Sequence, residues 1–175
     1  MQPRLDYAKV APEVRAAMKT LDDHVRQTDL HRGLIELVKL RASLINGCAY
    51  CVDMHTKIAR SLGETEQRLY AVSVWRETSF YSPSERAALA WTEAITLVNA
   101  SRVPDDVYEL ARQHFAEKEL IDLTLAIVAI NAWNRLALAF TAVPGTFQVA
   151  TPMGDSGLGS ASDKSIAGVP RTSLR

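Results

Sequence analysis

The stretch from Leu120 to Phe140 is the most apolar part of the chain and constrains the fold more than any other feature. Asp122, Thr124, Asn131, Asn134 and Arg135 interrupt it, which makes it too polar for an unaided membrane span. It therefore reads as a buried helix from about Lys118 to Thr141. A helix apolar on most of its circumference has to be covered by other elements.

The rest of the chain supplies such elements. Val14, Met18, Leu21 and Val25 recur at steps of three and four, predicting an amphipathic helix from about Pro12, a favoured first-turn proline, to about Gln27. Leu30 to Ile45 carries Leu34, Ile35, Leu37, Val38, Leu40, Leu44 and Ile45, a helix buried on more than one side with Glu36 inside it. Asn46-Gly47 breaks that run, and Asn46 is the expected cap of a following helix that Gly63 ends. Thr65 caps a short helix containing Leu69, Tyr70 and Val72, followed by a less regular stretch through Trp75 to Tyr81. Ser82-Pro83-Ser84-Glu85 has the form of a capping box and opens a helix through about Val98. Pro104-Asp105-Asp106 opens another that runs towards Phe115. Alternating β-branched runs bounded by turn pairs are missing, so the predicted class is all-α.

At 175 residues the chain is long enough for one domain with a real core. Residues 1–147 are assigned to that helical domain. Residues 148–175 are read as a flexible C-terminal tail, because 151–175 hold four of the eight glycines, two of the seven prolines and no aromatic residue. Twenty Lys plus Arg balance twenty Asp plus Glu, so no strong field recruits nucleic acid or an anionic membrane, and neither is an expected partner. The first ten residues lack the apolar run of a secretory signal, which makes the cytoplasm the default compartment.

The two cysteines, Cys48 and Cys51, are three positions apart, just after a helix break. Such a pair in a reducing compartment points to redox or metal chemistry and not to a structural disulfide framework. Unpaired N–H groups and the positive end of the helix dipole stabilise a thiolate in the opening turn, which favours Cys48 as the more acidic thiol. Helical spacing also places Cys48 beside Cys51 and Cys51 beside His55, which favours Cys51 as the thiol served by a base. Two helical residues three apart are within the reach of a disulfide. If the helix carrying Glu36 packs antiparallel on the next one, its buried carboxylate needs a partner, and a facing His55 would be oriented by it.

Other readings stand beside this one. The same residues could hold zinc, although structural zinc commonly uses two separated ligand pairs, or the cysteines could be small core residues. Glu36 could pair with Arg41 or Arg135. His24, His31 and His114 lie in polar or helix-end surroundings and read as surface residues. Asn131, Trp133, Asn134 and Arg135 read chiefly as polar groups satisfied in the core or at a subunit contact.

Glu36, followed after twelve positions by Cys48, then Cys51 and His55, resembles the alkylhydroperoxidase AhpD core of the carboxymuconolactone decarboxylase-like superfamily. The words around it match too: Glu36-Leu-Val-Lys-Leu-Arg-Ala, Asn46-Gly-Cys-Ala-Tyr-Cys-Val-Asp-Met-His, Trp75-Arg-Glu, Glu85-Arg-Ala-Ala-Leu-Ala-Trp and Asn131-Ala-Trp-Asn-Arg. The likeness covers roughly residues 10 to 147. It implies an AhpD-like helical bundle assembling into trimers or hexamers, with a thiol-dependent peroxidase or disulfide reductase site. By carry-over, Cys51 attacks the peroxide, Cys48 resolves the sulfenic acid, and His55 and Glu36 relay the proton. Two departures are visible. Tyr50 stands where founding AhpD proteins have a histidine, and the motif lies early in the chain. Decarboxylase members lack the cysteine pair, so lactone decarboxylation is not expected.

The function so implied is reduction of alkyl hydroperoxides or hydrogen peroxide, with regeneration by an external dithiol or protein reductant and with no metal or cofactor. The alternatives are a protein or lipoyl disulfide reductase and a non-enzymatic metal-binding oligomer. The apolar last helix favours a homo-oligomer.

Overall fold

A computed structural model describes residues 1–149; of the tail proposed at 148–175, residues 150–175 lie outside the described residues. The described residues form helices and connecting turns, with no strand among them, as the sequence pattern requires. The order is α1 (Tyr7–Val10), α2 (Pro12–Arg26), α3 (Arg32–Ile45), α4 (Ala49–Ser61), α5 (Glu66–Ala71), a 3₁₀ segment (Val72–Glu77), α6 (Pro83–Thr96), α7 (Val98–Ser101), α8 (Asp105–His114) and α9 (Glu117–Phe140).

Local signals set most of these limits. Pro12 takes the first turn of α2. Thr65 accepts the Arg68 amide, and Ser82 and Glu85 close both halves of the capping box of α6. Two expectations are corrected. Asn46 does not cap α4; it is the C-cap of α3, and the N-cap of α4 is Cys48 itself. The helix opened by Ser82 stops at Thr96, and Val98–Ser101 is a separate single turn. The four-residue α1 has no signal strong enough to read from sequence.

α3 and α9 form the centre. Ile35 through Leu40 are all buried, because α3 packs against α4, α6 and α9 at once. Leu120, Leu123, Ala126 and Ile127 of α9 close a large apolar cluster with Val25, Val38, Ala88 and Trp91. A second cluster, around Leu37, Leu40, Leu89 and Val72, covers the other side of α3. Each fully buried leucine in these clusters contributes about 1.5–3 kcal/mol through its removal from water. α9 is long and apolar enough by composition to cross a bilayer, yet its inner face builds the core, and only a stripe including Ile121, Val128 and Leu138 faces outward.

Candidate active site

The site begins with the way α3 ends. Gly47 adopts φ +69°, in the left-handed region that glycine enters without strain. Its amide bonds to the Leu44 carbonyl at 3.3 Å, and the Cys48 amide bonds to the Ser43 carbonyl at 3.0 Å. This is the hydrogen-bond pair of a Schellman ending, and its last residue is also the first of the next helix. The tight reversal lays α4 against α3 and fixes Cys48 as the N-cap of a 13-residue helix.

Cys48 and Cys51 are not bonded to each other and are about 1% exposed. They belong to a third, smaller cluster with Ala42, Ile130 and Ala137, apart from the two large ones. The Cys48 thiol is pulled down to about 7 by the hydrogen bond of the Cys51 thiol, against the opposing effect of burial, with help from the amides of Cys51 and Tyr50 and from Asn134. Cys51 moves the other way, raised by its contact with Cys48 and by burial. The lowering falls on the thiol at the helix opening, but its largest cause is the neighbouring Cys51 thiol, and the backbone amides of the opening turn only add to it.

Behind the thiols, His55 Nδ1 lies 2.7 Å from Glu36 Oε2, with both side chains buried. This is the antiparallel pairing expected of α3 and α4. The competing ion pairs are not made: Arg41 binds Glu93, and Arg135 binds the carbonyl and side chain of Asn131. In the tautomer whose Nδ1–H donates to Glu36, Nε2 carries a lone pair. Among the described residues Nε2 is the one buried side-chain nitrogen or oxygen with no hydrogen-bond partner. An unpaired buried acceptor has a desolvation cost of about 1–3 kcal/mol, and active sites are where such a cost is commonly retained.

Cys51 and His55 line a cavity of about 840 Å³, bordered also by Tyr50, Met54, Trp133 and Phe140. Cys48 is not in its wall. Burial raises the Tyr50 phenol, so this residue enters the cavity as a neutral hydroxyl. The N-terminal segment closes part of the space, with Tyr7 packed on Phe140 at a ring distance of 5.4 Å and the Arg4 amide bonded to the Phe140 carbonyl.

Asn134, which the sequence suggests chiefly as a packing residue, is the polar group that joins the site together. Its side chain, fully buried, favours the thiolate form of both cysteines, donates to Ser43 Oγ at 3.1 Å and accepts from Asn46 Nδ2 at 2.9 Å. Asn131 extends the same chain, accepting from Asn46 and donating to Thr96. Spacing alone places Asn131 and Asn134 on one face of α9 but does not reveal that this face meets the cysteines. Lys39, also unassigned from sequence, is buried one turn beyond Glu36 and bonds Asp22 at 2.5 Å. His24, His31 and His114 are exposed, as expected. Among the described residues no cluster of three or more His, Cys, Asp or Glu side chains is arranged to hold a metal ion.

Comparison with known proteins agrees with this architecture. Residues 12–94 match the model of the carboxymuconolactone decarboxylase family. The chain is 46% identical over 139 residues to the uncharacterized protein YdfG of Bacillus subtilis, covering 79% of this chain and 95% of that one. It is 34% identical over 92 residues to the uncharacterized protein YnjA of Escherichia coli, spanning 52% of this chain and half of that relative. Among solved structures, the protein of unknown function ATU0492 from Agrobacterium tumefaciens superposes with a TM-score of 0.81 at 44% identity, covering 83% of this chain and 100% of that one. An uncharacterized peroxidase-related protein from Ralstonia eutropha, described as an alkylhydroperoxidase AhpD core, shares the fold with a TM-score of 0.71 at 23% identity, over 82% of this chain and 77% of that one. With a family model laid over α2 to α6 and a relative of this identity aligned almost from end to end, this chain belongs to the carboxymuconolactone decarboxylase family and has its AhpD-like helical fold.

Proposed function

We propose that the chain is a thiol-dependent peroxidase that reduces alkyl hydroperoxides or hydrogen peroxide through a Cys48–Cys51 dithiol/disulfide cycle. The observation that carries this reading is the shared wall of one cavity: Cys51 and His55 border it, His55 Nε2 is unpaired, and Glu36 holds the far side of the ring. A nucleophile and a base facing one cavity, the base oriented by a third group, can activate a thiol when substrate bridges them.

His55 Nε2, which has no hydrogen bond to either sulfur before substrate enters, accepts the Cys51 proton through the bound peroxide or a water between them, and Glu36 stabilises the imidazolium that forms. The Cys51 thiolate attacks the terminal peroxide oxygen. The S–O bond forms as the O–O bond breaks, and the alkoxide leaves as alcohol with the proton held by His55. Cys51 is then a sulfenic acid. Cys48, the more acidic thiol, attacks the Cys51 sulfur, and hydroxide departs as water once protonated. The peroxide has gained two electrons and the cysteine pair has lost two. An external dithiol or protein reductant returns two electrons and two protons, consistent with a reducing compartment such as the cytoplasm. Cys51 is assigned the attack because it borders the cavity, and Cys48 the resolution because it lies behind.

A disulfide reductase acting on a protein or lipoyl partner is the second reading, favoured by the lowered Cys48 thiol. In a coupled assay Cys51→Ser abolishes peroxide consumption if the first reading holds; undiminished turnover removes it. Oxidation of a dithiol by a disulfide substrate in the absence of peroxide, with no peroxide activity, selects the second. The outward apolar stripe of α9 supports assembly into a trimer or hexamer. Light scattering that finds a stable monomer removes the assembly.

A further inference from the structure

The cavity beside Cys51 is much larger than hydrogen peroxide requires. Its volume of about 840 Å³ lies towards the top of the roughly 300–1,000 Å³ typical of sites for organic ligands. Its walls differ in chemistry. Met54 and Ile58 of α4, with Trp133, Ala137 and Phe140 of α9, give an apolar wall on which Cys51 and His55 are mounted. One face of α2 gives a polar wall, with Arg15, Lys19, Asp22, Asp23 and Arg26 at helical spacing, and α3 adds Lys39.

The charges on that wall do not cancel. Lys39, about 2% exposed, and Arg26 both bind the same carboxylate, Asp22, at 2.5 and 3.0 Å. Lys19 is paired with Asp23. Arg15 has no ion pair or hydrogen bond among the described residues. The remaining carboxylate, Asp6, is held by Lys9 outside the cavity. The lining thus carries four cations against three carboxylates, a surplus of one positive charge beside an apolar surface, with Arg15 exposed at its edge and Lys39 buried within it.

We infer that, on the peroxidase reading above, this cavity selects organic hydroperoxides that carry an acidic group on an apolar body. The acid is drawn to the polar wall, where Arg15 is unpaired and Lys39, together with Arg26, more than neutralises Asp22. The body lies along Met54, Ile58 and Phe140, and the hydroperoxide reaches Cys51. The reaction is the two-electron reduction already written, and only the choice among peroxides is new.

The test uses the full chain in its dithiol form. Calorimetric titration compares decanoate with decanol, and turnover compares an 18-carbon fatty acid hydroperoxide with its methyl ester. Decanoate is expected to bind about tenfold more tightly than decanol at low salt, a preference of about 1.4 kcal/mol. That preference, and the matching acid-to-ester ratio in kcat/KM, should fall towards one in Arg15→Gln and Lys39→Met. Equal binding of acid and alcohol, or an undiminished ratio in both variants, overturns the inference. Should Lys39→Met fail to fold, the exposed Arg15 position decides alone. Acid preference without any peroxide turnover leaves the anion site standing and removes the peroxidase reading. Peroxide turnover without acid preference does the reverse.

Discussion

Two glutamates of the helical core, Glu36 buried and Glu93 half-buried, differ most in their partners. Glu93 is saturated: it accepts from Arg41 Nε at 2.9 Å, from Trp75 Nε1 at 2.8 Å and from Arg76 at 2.5 Å. Burial opposes its charge, but these donors hold its carboxyl below the ordinary value. Glu36 has one side-chain partner, and that partner's other nitrogen is free. A carboxylate whose acceptor sites are filled by fixed cations and an indole pins α3, α6 and the 3₁₀ segment together and has no proton to pass on. A carboxylate at the end of a chain that stops at an unpaired nitrogen in a cavity wall can stabilise a charge that appears and disappears. Burial of a charged residue therefore says little about function until its partners are counted.

The contrast can be broken by the matched substitutions. Glu36→Gln keeps an acceptor for the His55 Nδ1–H but cannot stabilise an imidazolium, so peroxide turnover should fall by about a hundredfold with little change in Tm. Glu93→Gln should leave turnover per folded molecule intact and cost about 2–4 kcal/mol of stability, because it leaves Arg41 and Arg76 underpaired. For a chain of this size that is a drop of several degrees in Tm. Equal losses of turnover in both variants, measured at a temperature where both are folded, would erase the distinction. The sign with pH follows from the lowered Glu93 carboxyl. Its contribution is complete above the ordinary value of 4.5 and is lost as pH falls through its lower native value, so acid should shift the Tm of the parent more than that of Glu93→Gln.

A smaller effect sharpens the assignment of the thiols. Thiolate absorbance should rise through about pH 7 as Cys48 ionises. In Cys51→Ala that midpoint should move upward, since the largest cause of the lowering is gone. A midpoint unchanged by the substitution would locate the effect in the backbone of the α4 opening turn instead. Smallest of all, Asn134→Ala should raise the first thiol midpoint by a fraction of a unit, because Asn134 favours both thiolates, and should cost about 1–3 kcal/mol by stranding Ser43 and Asn46.

Much of this protein is determined locally, and that part is legible in the chain itself. Helix periods at three and four, the prolines at Pro12 and Pro83, the Ser82–Glu85 box and the Gly47 and Gly63 endings are interactions within a few residues. The Cys48–Cys51–His55 spacing is local too, being a property of one helix. Even the facing of Glu36 and His55 follows from a connection too short for anything but an antiparallel pair. Tertiary structure decided what no spacing encodes: that Cys48 itself, and not Asn46, caps α4; that Arg41 is claimed by Glu93 and so leaves Glu36 to His55; that Asn134, 83 positions after Cys51, comes to favour both thiolates. The physical reason is that these outcomes are competitions among partners distant in sequence. Packing settled them by bringing α3, α4 and α9 to one place, and in doing so put Cys51, and not its more acidic neighbour, at the wall of the cavity.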